Sequence, residues 1–240
     1  MMTIEEKTVA QMVAENIKTA HIFKKYGIDF CCGGGISIDK ACKKKNIDFS
    51  AVKEELLAVD EAPRAYEYNK WELGFLIDHI VNVHHTYVED AIPLIIQYAD
   101  RVVEVHGHYH TNVIEISKLF KEAANELTSH MKKEEIILFP YIKKLINLKE
   151  KGGYVTRPPF GTVSNPIRMM ETEHELVGDI FKEIDKLTNN YTLPEGACNT
   201  FNALYAKLEE FENDLHQHIH LENNILHPKA IQLENELQNN

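Results

Sequence analysis

Two stretches of the chain repeat one pattern of side chains that can bind metal. The first, HMKKEEIILFP, runs from His130 to Pro140, and the second, HIHLENNILHP, runs from His218 to Pro228. Both fit HxxxExxILxP, so each places a glutamate four residues after a histidine. On a helix this spacing puts the imidazole and the carboxylate one turn apart on the same face. The imidazole can then bind one ion while the carboxylate bridges two.

These pairs interrupt apolar stripes that are typical of bundle helices. In four segments, apolar residues recur in alternating steps of three and four, as on the buried face of a bundle helix. The second and fourth segments carry the His–Glu pairs, and the stripes of the first and third carry single histidines, His84 and His174. The sequence therefore predicts two helical hairpins, each with one lone histidine and one HxxxE pair. The segments run about 70–106, 112–148, 166–189 and 196–236.

Six polar side chains on inward faces need a common partner, because a buried carboxylate without compensation is strongly destabilising. A metal centre supplies that partner. We predict two ions, each bound by two histidines and both bridged by two carboxylates, in a histidine-rich counterpart of the ferritin-like di-iron site. The predicted ligands are His84, His130, Glu134, His174, His218 and Glu222.

The types of ligand favour iron. Imidazole and carboxylate suit iron, manganese or zinc, but zinc is more often held in closed tetrahedral sites. Two histidines and two carboxylate oxygens leave a six-coordinate ion short of ligands. An oxo or hydroxo bridge and a small molecule such as O₂ or NO can occupy the remaining places. We therefore predict two Fe ions, carboxylate-bridged and also oxo- or hydroxo-bridged.

Simpler interpretations compete for single residues. A lone histidine on an apolar face is more often a core residue than a ligand, and one HxxxE pair is common, but the matched set is hard to obtain by chance.

His106 begins a polar HGHYH stretch and would lie roughly 33 Å along the helix axis from His84, at about 1.5 Å per residue. It is therefore left out of the ligand set. Three further histidines are expected beside the stripes: His85, His216 and His220.

The chain divides into a short N-terminal segment and a long helical region. Residues 1–60 hold short helical patterns around the turn-rich stretch IDFCCGGG, and residues 61–69 contain the breaker Pro63 and predict a linker. Residues 70–240 carry the four long segments, with few alternating β-branched runs to compete. We predict an all-α protein, an antiparallel four-helix bundle with a small helical N-terminal domain.

Composition and charge exclude several classes of function. A net charge of −11 argues against nucleic acid as a partner, because binding it needs clustered Lys and Arg. No apolar run is long enough to predict a transmembrane helix, and the N-terminus lacks the layout of a signal peptide. We expect a cytoplasmic protein with reduced thiols, in which Cys42 and Cys198 are structural. Adjacent cysteines, Cys31 and Cys32, bridge only with strain.

The two HxxxE pairs with two lone histidines resemble a hemerythrin-like domain. Nearly the whole chain resembles the repair-of-iron-centres family, di-iron proteins linked to restoring iron–sulfur clusters after nitric oxide or oxidative damage. The matching stretches are FKKYGIDFCCGGG, HMKKEEIILFP, METEHE and HIHLENNILHP. The resemblance implies the same six ligands, with Glu134 and Glu222 as bridges. Oxygen-carrying hemerythrins have a further histidine where Gly178 stands here, so a more open iron pair is expected.

The resemblance also gives Cys31 and Cys32 a role as a thiol relay, or as a transient handler of metal or nitrosyl groups, docked over the bundle. The alternative is a turn with two buried small residues. Thiol reactivity depends on exposure and charge, which the sequence does not give.

The function implied is repair of iron–sulfur clusters damaged by nitric oxide or oxidative stress. The centre either donates iron or binds and reduces NO, in which case the protein is an enzyme. Alternatives are an NO or O₂ sensor and an iron-storage or oxygen-binding module. The partners implied are a gaseous ligand and damaged iron–sulfur proteins or their scaffold, with neither nucleic acid nor membrane. A homodimer is left open.

Overall fold

The computed structural model describes residues 3–60 and 67–239. Within these ranges the regular structure is helical apart from one isolated β-bridge, so the predicted all-α class is confirmed. No helix of the described residues is long and apolar enough to cross a membrane. The N-terminal helices are α1 (Val9–Glu15), α2 (Ala20–Lys25), α3 (Ile38–Lys45) and α4 (Phe49–Asp60), with a 3₁₀ turn at Ile17–Thr19.

Four long bundle helices follow. Three of them contain a π-helical segment, so that each of these is assigned in three parts. The first comprises α5 (Leu73–His79), a π segment (Ile80–His85) and α6 (Thr86–His106). The second comprises α7 (Asn112–Lys133), a π segment (Glu134–Leu138) and α8 (Phe139–Lys151). The third is α9 (Ser164–Thr188). The fourth comprises α10 (Asn199–Leu221), a π segment (Glu222–Leu226) and α11 (His227–Gln238).

The π segments change which residues face inward. A π turn closes its hydrogen bond one residue later than an α turn, so the buried stripe moves along by one position. After Glu134 the next buried residue is Leu138. Ile137 continues the steps of four and three from His130 and Glu134, and the stripe therefore predicts that it faces inward, but it is 46% exposed. The prediction is wrong there because it assumed uniform α-helical turns.

The predicted division at 1–60, 61–69 and 70–240 stays a prediction. Residues 61–66 of the predicted linker lie outside the described residues. The last residues of that predicted linker belong to a 3₁₀ turn at Tyr68–Lys70, in which Tyr68 is buried.

Two apolar clusters pack the molecule, one on each side of the predicted ligand positions. The larger includes N-terminal side chains such as Phe23 and bundle side chains such as Phe120 and Phe181. The smaller occupies the other end of the bundle and includes Ile142 and Leu221. The N-terminal helices therefore share a core with the bundle, and polar groups between the clusters are shielded from water.

Candidate metal centre

The structure brings histidine and glutamate side chains together at the centre of the bundle in two overlapping groups. Within each group, one nitrogen or oxygen of every residue lies within 4.8 Å of those of the others. Both glutamates belong to both groups, so the two groups share both carboxylates. The first group is His85, Glu134, His218 and Glu222, and the second is His130, Glu134, His174 and Glu222.

Five of the six predicted ligands lie in these groups, and His85 takes the place predicted for His84. His84 is buried, but its Nδ1 donates to Asp214 Oδ1 at 2.9 Å and lies outside both groups. His85 Nε2 lies 3.4 Å from Glu134 Oε2. The structure thus places His85, rather than His84, beside the shared carboxylates. The π segment Ile80–His85 turns the second histidine inward, where an α-helical count chose the first.

The two shared carboxylates are fully buried and lack ordinary partners. None of the four oxygens of Glu134 and Glu222 accepts a hydrogen bond of regular geometry from a described residue. Burial raises the pKa of Glu134 well above its usual value, and the negative charge of Glu222 raises it further. Groups of this kind are stable in an interior only when a cation or a set of donors compensates them. The residues therefore fit a metal site.

Three of the four imidazoles are oriented by a hydrogen bond at Nδ1. An Nδ1–H that donates to an acceptor leaves the Nε2 lone pair free to bind metal. The fourth, His218, has no hydrogen-bond partner at Nδ1 among the described residues. The three contacts are His85 to Glu135 Oε1 at 2.7 Å, His130 to Glu173 Oε2 at 2.9 Å, and His174 to Asn223 Oδ1 at 2.8 Å.

Glu173 is the best supported of these acceptors. The hydrogen bond from His130 lowers the pKa of Glu173 to about 2, and a hydrogen bond from Lys133 adds to that effect. The carboxylate therefore stays charged at neutral pH. None of the three acceptors was predicted from the sequence. The available signal was their position, because Glu135 and Asn223 directly follow the bridging glutamates and Glu173 directly precedes His174.

The cysteine pair lies in a turn built around Asp29. Its Oδ1 accepts hydrogen bonds from the backbone N–H groups of Cys31 at 3.0 Å and Cys32 at 3.1 Å. A Cβ at Gly34 would lie 2.5 Å from the carbonyl oxygen of Phe30, so the turn requires glycine there. Cys31 is buried and Cys32 is half-buried.

The two thiols differ in electrostatics. A hydrogen bond from Cys31 lowers the pKa of Cys32. The same bond raises the pKa of Cys31 well above its usual value, and burial raises it further. Cys32 is therefore the thiol that ionises first. It also lines a cavity of about 660 Å³ that is bounded by residues of both the N-terminal domain and α9, Gly178 and Lys182 among them.

Two asparagines join the cysteine turn to the metal-binding groups. Asn224 Nδ2 donates to the carbonyl oxygen of Cys31 at 3.1 Å. Asn223 Nδ2 lies 4.0 Å from Cys32 Sγ, the outer limit for a hydrogen bond to sulfur, while its Oδ1 holds His174. One side chain therefore separates Cys32 from a residue of the second group.

The remaining histidines lie outside both groups. His106 Nε2 lies 3.1 Å from Cys198 Sγ, and Cys198 is exposed, although a structural cysteine was expected there. The rings of His216 and His220 pack against Phe30, at centroid distances of 5.8 and 5.9 Å. His227 is buried and its ring is parallel to that of His174 at 6.2 Å.

A helical bundle with four histidines and two shared glutamates at its centre is a hemerythrin-like cation-binding fold. Residues 76–230 match the hemerythrin HHE cation binding domain, and residues 5–60 match a domain of unknown function, DUF542.

Two relatives extend this match over most of the chain. The iron-sulfur cluster repair protein YtfE of Yersinia pseudotuberculosis serotype IB (strain PB1/+) is 37% identical over 211 residues, which cover 88% of this chain and 90% of the relative. The protein of the same name from Yersinia pestis (strain Pestoides F) is 36% identical over 215 residues, covering 89% and 91%. The chain therefore belongs to the hemerythrin-like, DUF542-containing family of these proteins, and the resemblance predicted from the sequence is confirmed.

Proposed function

We propose that this protein binds two iron ions in its bundle and uses them in the repair of damaged iron–sulfur clusters. His85 and His218 hold one ion, and His130 and His174 hold the other. The bridges are Glu134 and Glu222. The single observation that supports the metal part is the pair of fully buried carboxylates whose oxygens lack regular hydrogen bonds. The names of the Yersinia relatives support the role in repair.

The chain prepares this centre in three ways. Hydrogen bonds at Nδ1 aim three imidazoles at the ions, and the apolar clusters at both ends keep water out. A Cβ at Gly178, four residues after His174, would meet nothing within 4 Å, which leaves space beside the centre. Bound iron supplies exchangeable electrons and open places for a small ligand such as NO or O₂.

The cysteine pair serves this function as a thiol relay. Cys32 is the reactive sulfur, because its pKa is lowered and it borders the cavity. Cys31 stays protonated, with its thiol 3.3 Å from Asp29 Oδ1, and its presence beside Cys32 is the largest cause of the lowered pKa of Cys32. Asn223 supports this role, because its Nδ2 lies 4.0 Å from Cys32 Sγ while its Oδ1 accepts from His174. The alternative interpretation, a merely structural turn, leaves the lowered pKa of Cys32 without a role.

The protein acts in the cytoplasm, with damaged iron–sulfur proteins or their scaffold as partners. Repair by this centre takes one of two forms, iron donation or removal of NO by reduction. The alternative function is an NO or O₂ sensor, in which the contact between Asn223 and Cys32 would carry the signal to the N-terminal domain.

The primary test is the metal content and absorption spectrum of the protein as isolated. We expect about two irons per chain, with the absorption bands of a bridged pair, and loss of both features in Glu134→Leu and Glu222→Leu. Full iron loading in both variants would refute the assignment of the bridges.

A second experiment separates the forms of the function. NO is added without oxygen to the reduced protein, and iron transfer to an apo cluster protein is followed in parallel. Turnover to N₂O indicates an enzyme, a stable nitrosyl without turnover indicates a sensor, and iron transfer indicates a donor.

A further inference from the structure

The two halves of the bundle repeat the environment of the ion positions, with one exception. In each half, the residue after the bridging glutamate accepts from the lone histidine of that half: Glu135 from His85, and Asn223 from His174. The residue before the lone histidine of the second half, Glu173, reaches across to His130 in the first. The corresponding residue in the first half is the one before His85. This is residue 84, and it faces His218.

Residue 84 is a histidine, and it gives His218 no acceptor. The rings of His84 and His218 stack in parallel, 5.4 Å apart at their centroids and 11° apart in angle. The Nδ1 of His84 is engaged by Asp214. The Nδ1 of His218 is buried and makes no hydrogen bond with any described residue. His84 therefore occupies the place of Glu173 without its function.

We infer that the two ion positions are unequal, and that the ion between His85 and His218 is the weaker and the first to leave. This rests on the proposed metal centre. A hydrogen-bond partner behind a ligating histidine fixes its orientation and raises its basicity, and losing it typically costs about 10–100-fold in metal affinity. His218 lacks such a partner, whereas both histidines of the other position have one.

The two remaining acceptors strengthen this difference. The Glu135 side chain, behind His85, is 42% exposed, so water competes for its hydrogen bond. The Glu173 side chain, behind His130, is only 18% exposed and is also held by Lys133. The position formed by His130 and His174 is therefore supported more firmly from both sides.

Departure of one ion leaves the interior electrostatically compensated. Glu134 and Glu222 belong to both groups, so both carboxylates keep a cation when the first position empties. Removal of the second ion leaves two buried carboxylates without one, which is strongly unfavourable. The bundle is thus arranged to release one ion and retain the other.

Stepwise removal of Fe(II) by a chelator without oxygen tests this inference on the full chain. We expect two phases in the unmodified protein, with one ion lost about 10–100-fold faster than the other. His85→Ala should abolish the fast phase and retain the slow one, whereas His130→Ala should abolish the slow phase. A slow phase that disappears in His85→Ala overturns the inference.

A reciprocal exchange provides the matched control. His84→Glu gives His218 an acceptor and should slow the fast phase, and Glu173→His should accelerate the slow phase. Because residue 84 is buried, circular dichroism confirms the fold of that variant, and Glu173→Gln, which is milder, gives an independent reading. Equal release of both ions, unchanged by these substitutions, overturns the inference. Failure to bind iron at all refutes the proposed metal centre instead.

Discussion

The Nε2 atoms of His130 and His174 lie 3.0 Å apart, although the residues belong to different bundle helices. Each ring is held at Nδ1 by an acceptor, Glu173 or Asn223, so both Nε2 atoms are aimed at the same space. Burial lowers the pKa of His130. Burial also lowers the pKa of His174, but the Glu222 carboxylate, whose Oε2 lies 3.1 Å from its Nε2, outweighs this and raises it to about 9. The pair is therefore arranged around a positive charge.

His85 and His84 make opposite predictions for metal binding. We expect His85→Ala to lower the metal content of the purified protein to about one ion, because a direct ligand is lost. His84→Ala should retain two ions, because Nε2 of His84 lies outside both groups. Iron per chain, measured by elemental analysis after identical loading, distinguishes the two. Loss of iron from His84→Ala alone would restore the ligand set predicted from the sequence.

Glu134→Leu should abolish one bridge and yet stabilise the metal-free protein. The Glu134 carboxyl group is fully buried and its oxygens make no regular hydrogen bond with a described residue. A buried polar group without a partner costs about 1–3 kcal/mol, and an apolar side chain of similar size removes that cost. Urea unfolding of the metal-free forms measures the change. Glu122→Leu, an exposed site on the same helix, is the control and should change stability by less than about 0.5 kcal/mol. A metal-free Glu134→Leu protein that is less stable than the parent contradicts the prediction.

Alkylation of Cys32 should depend on pH in a way that Cys31 controls. The thiolate is the nucleophile, so a lowered pKa shifts the rise in alkylation rate to lower pH. Cys31→Ala removes the largest cause of that lowering. The rise should therefore move to higher pH, and alkylation at neutral pH should slow. Mass spectrometry at Cys32 follows the reaction, in a Cys198→Ser background because Cys198 is exposed.

Cys42→Ala is the matched control for this experiment, because Cys42 is a buried thiol on α3, outside the turn that holds the pair. It should leave the pH profile of Cys32 unchanged. An identical profile in Cys31→Ala would mean that the hydrogen bond between the two thiols does not favour ionisation.

The two neighbouring asparagines should separate metal binding from domain docking. Asn223→Ala removes the acceptor behind His174 and should weaken metal binding by about 10–100-fold. Asn224 contacts the cysteine turn instead. Asn224→Ala should therefore leave metal affinity unchanged while making Cys31 more reactive to alkylation. Competition titration against a chelator measures the affinities. Equal losses of affinity in both variants would contradict the separate roles.

The packing of Phe181 against Phe211 in the larger apolar cluster should contribute strongly to the free energy of unfolding. Phe181 is fully buried, and its ring lies 5.6 Å from that of Phe211. Phe181→Ala should cost about 3–5 kcal/mol in the free energy of unfolding. Ile136→Ala, at a position that is 73% exposed, should change it by less than about 0.5 kcal/mol. Chemical denaturation of the metal-free variants gives both values.

The sequence by itself determined the helical bundle, five of the six grouped residues and the family. The helical period makes this possible, since apolar steps of three and four fix the inward face and the HxxxE spacing fixes two side chains on it. The repeat of that pattern in two hairpins then fixes how many such side chains meet. These are local properties of a single helix, and the chain contains the same pattern in two helices.

Only the tertiary structure decided between His84 and His85, which acceptors stand behind the imidazoles, and how near Cys32 comes to His174. The first depends on a π turn, which a count of uniform α turns cannot detect. The others join residues far apart in the chain, such as His130 with Glu173 and Asn223 with Cys32. Contacts of this kind are set by how helices pack and how the N-terminal turn docks, and no periodicity within one segment encodes them.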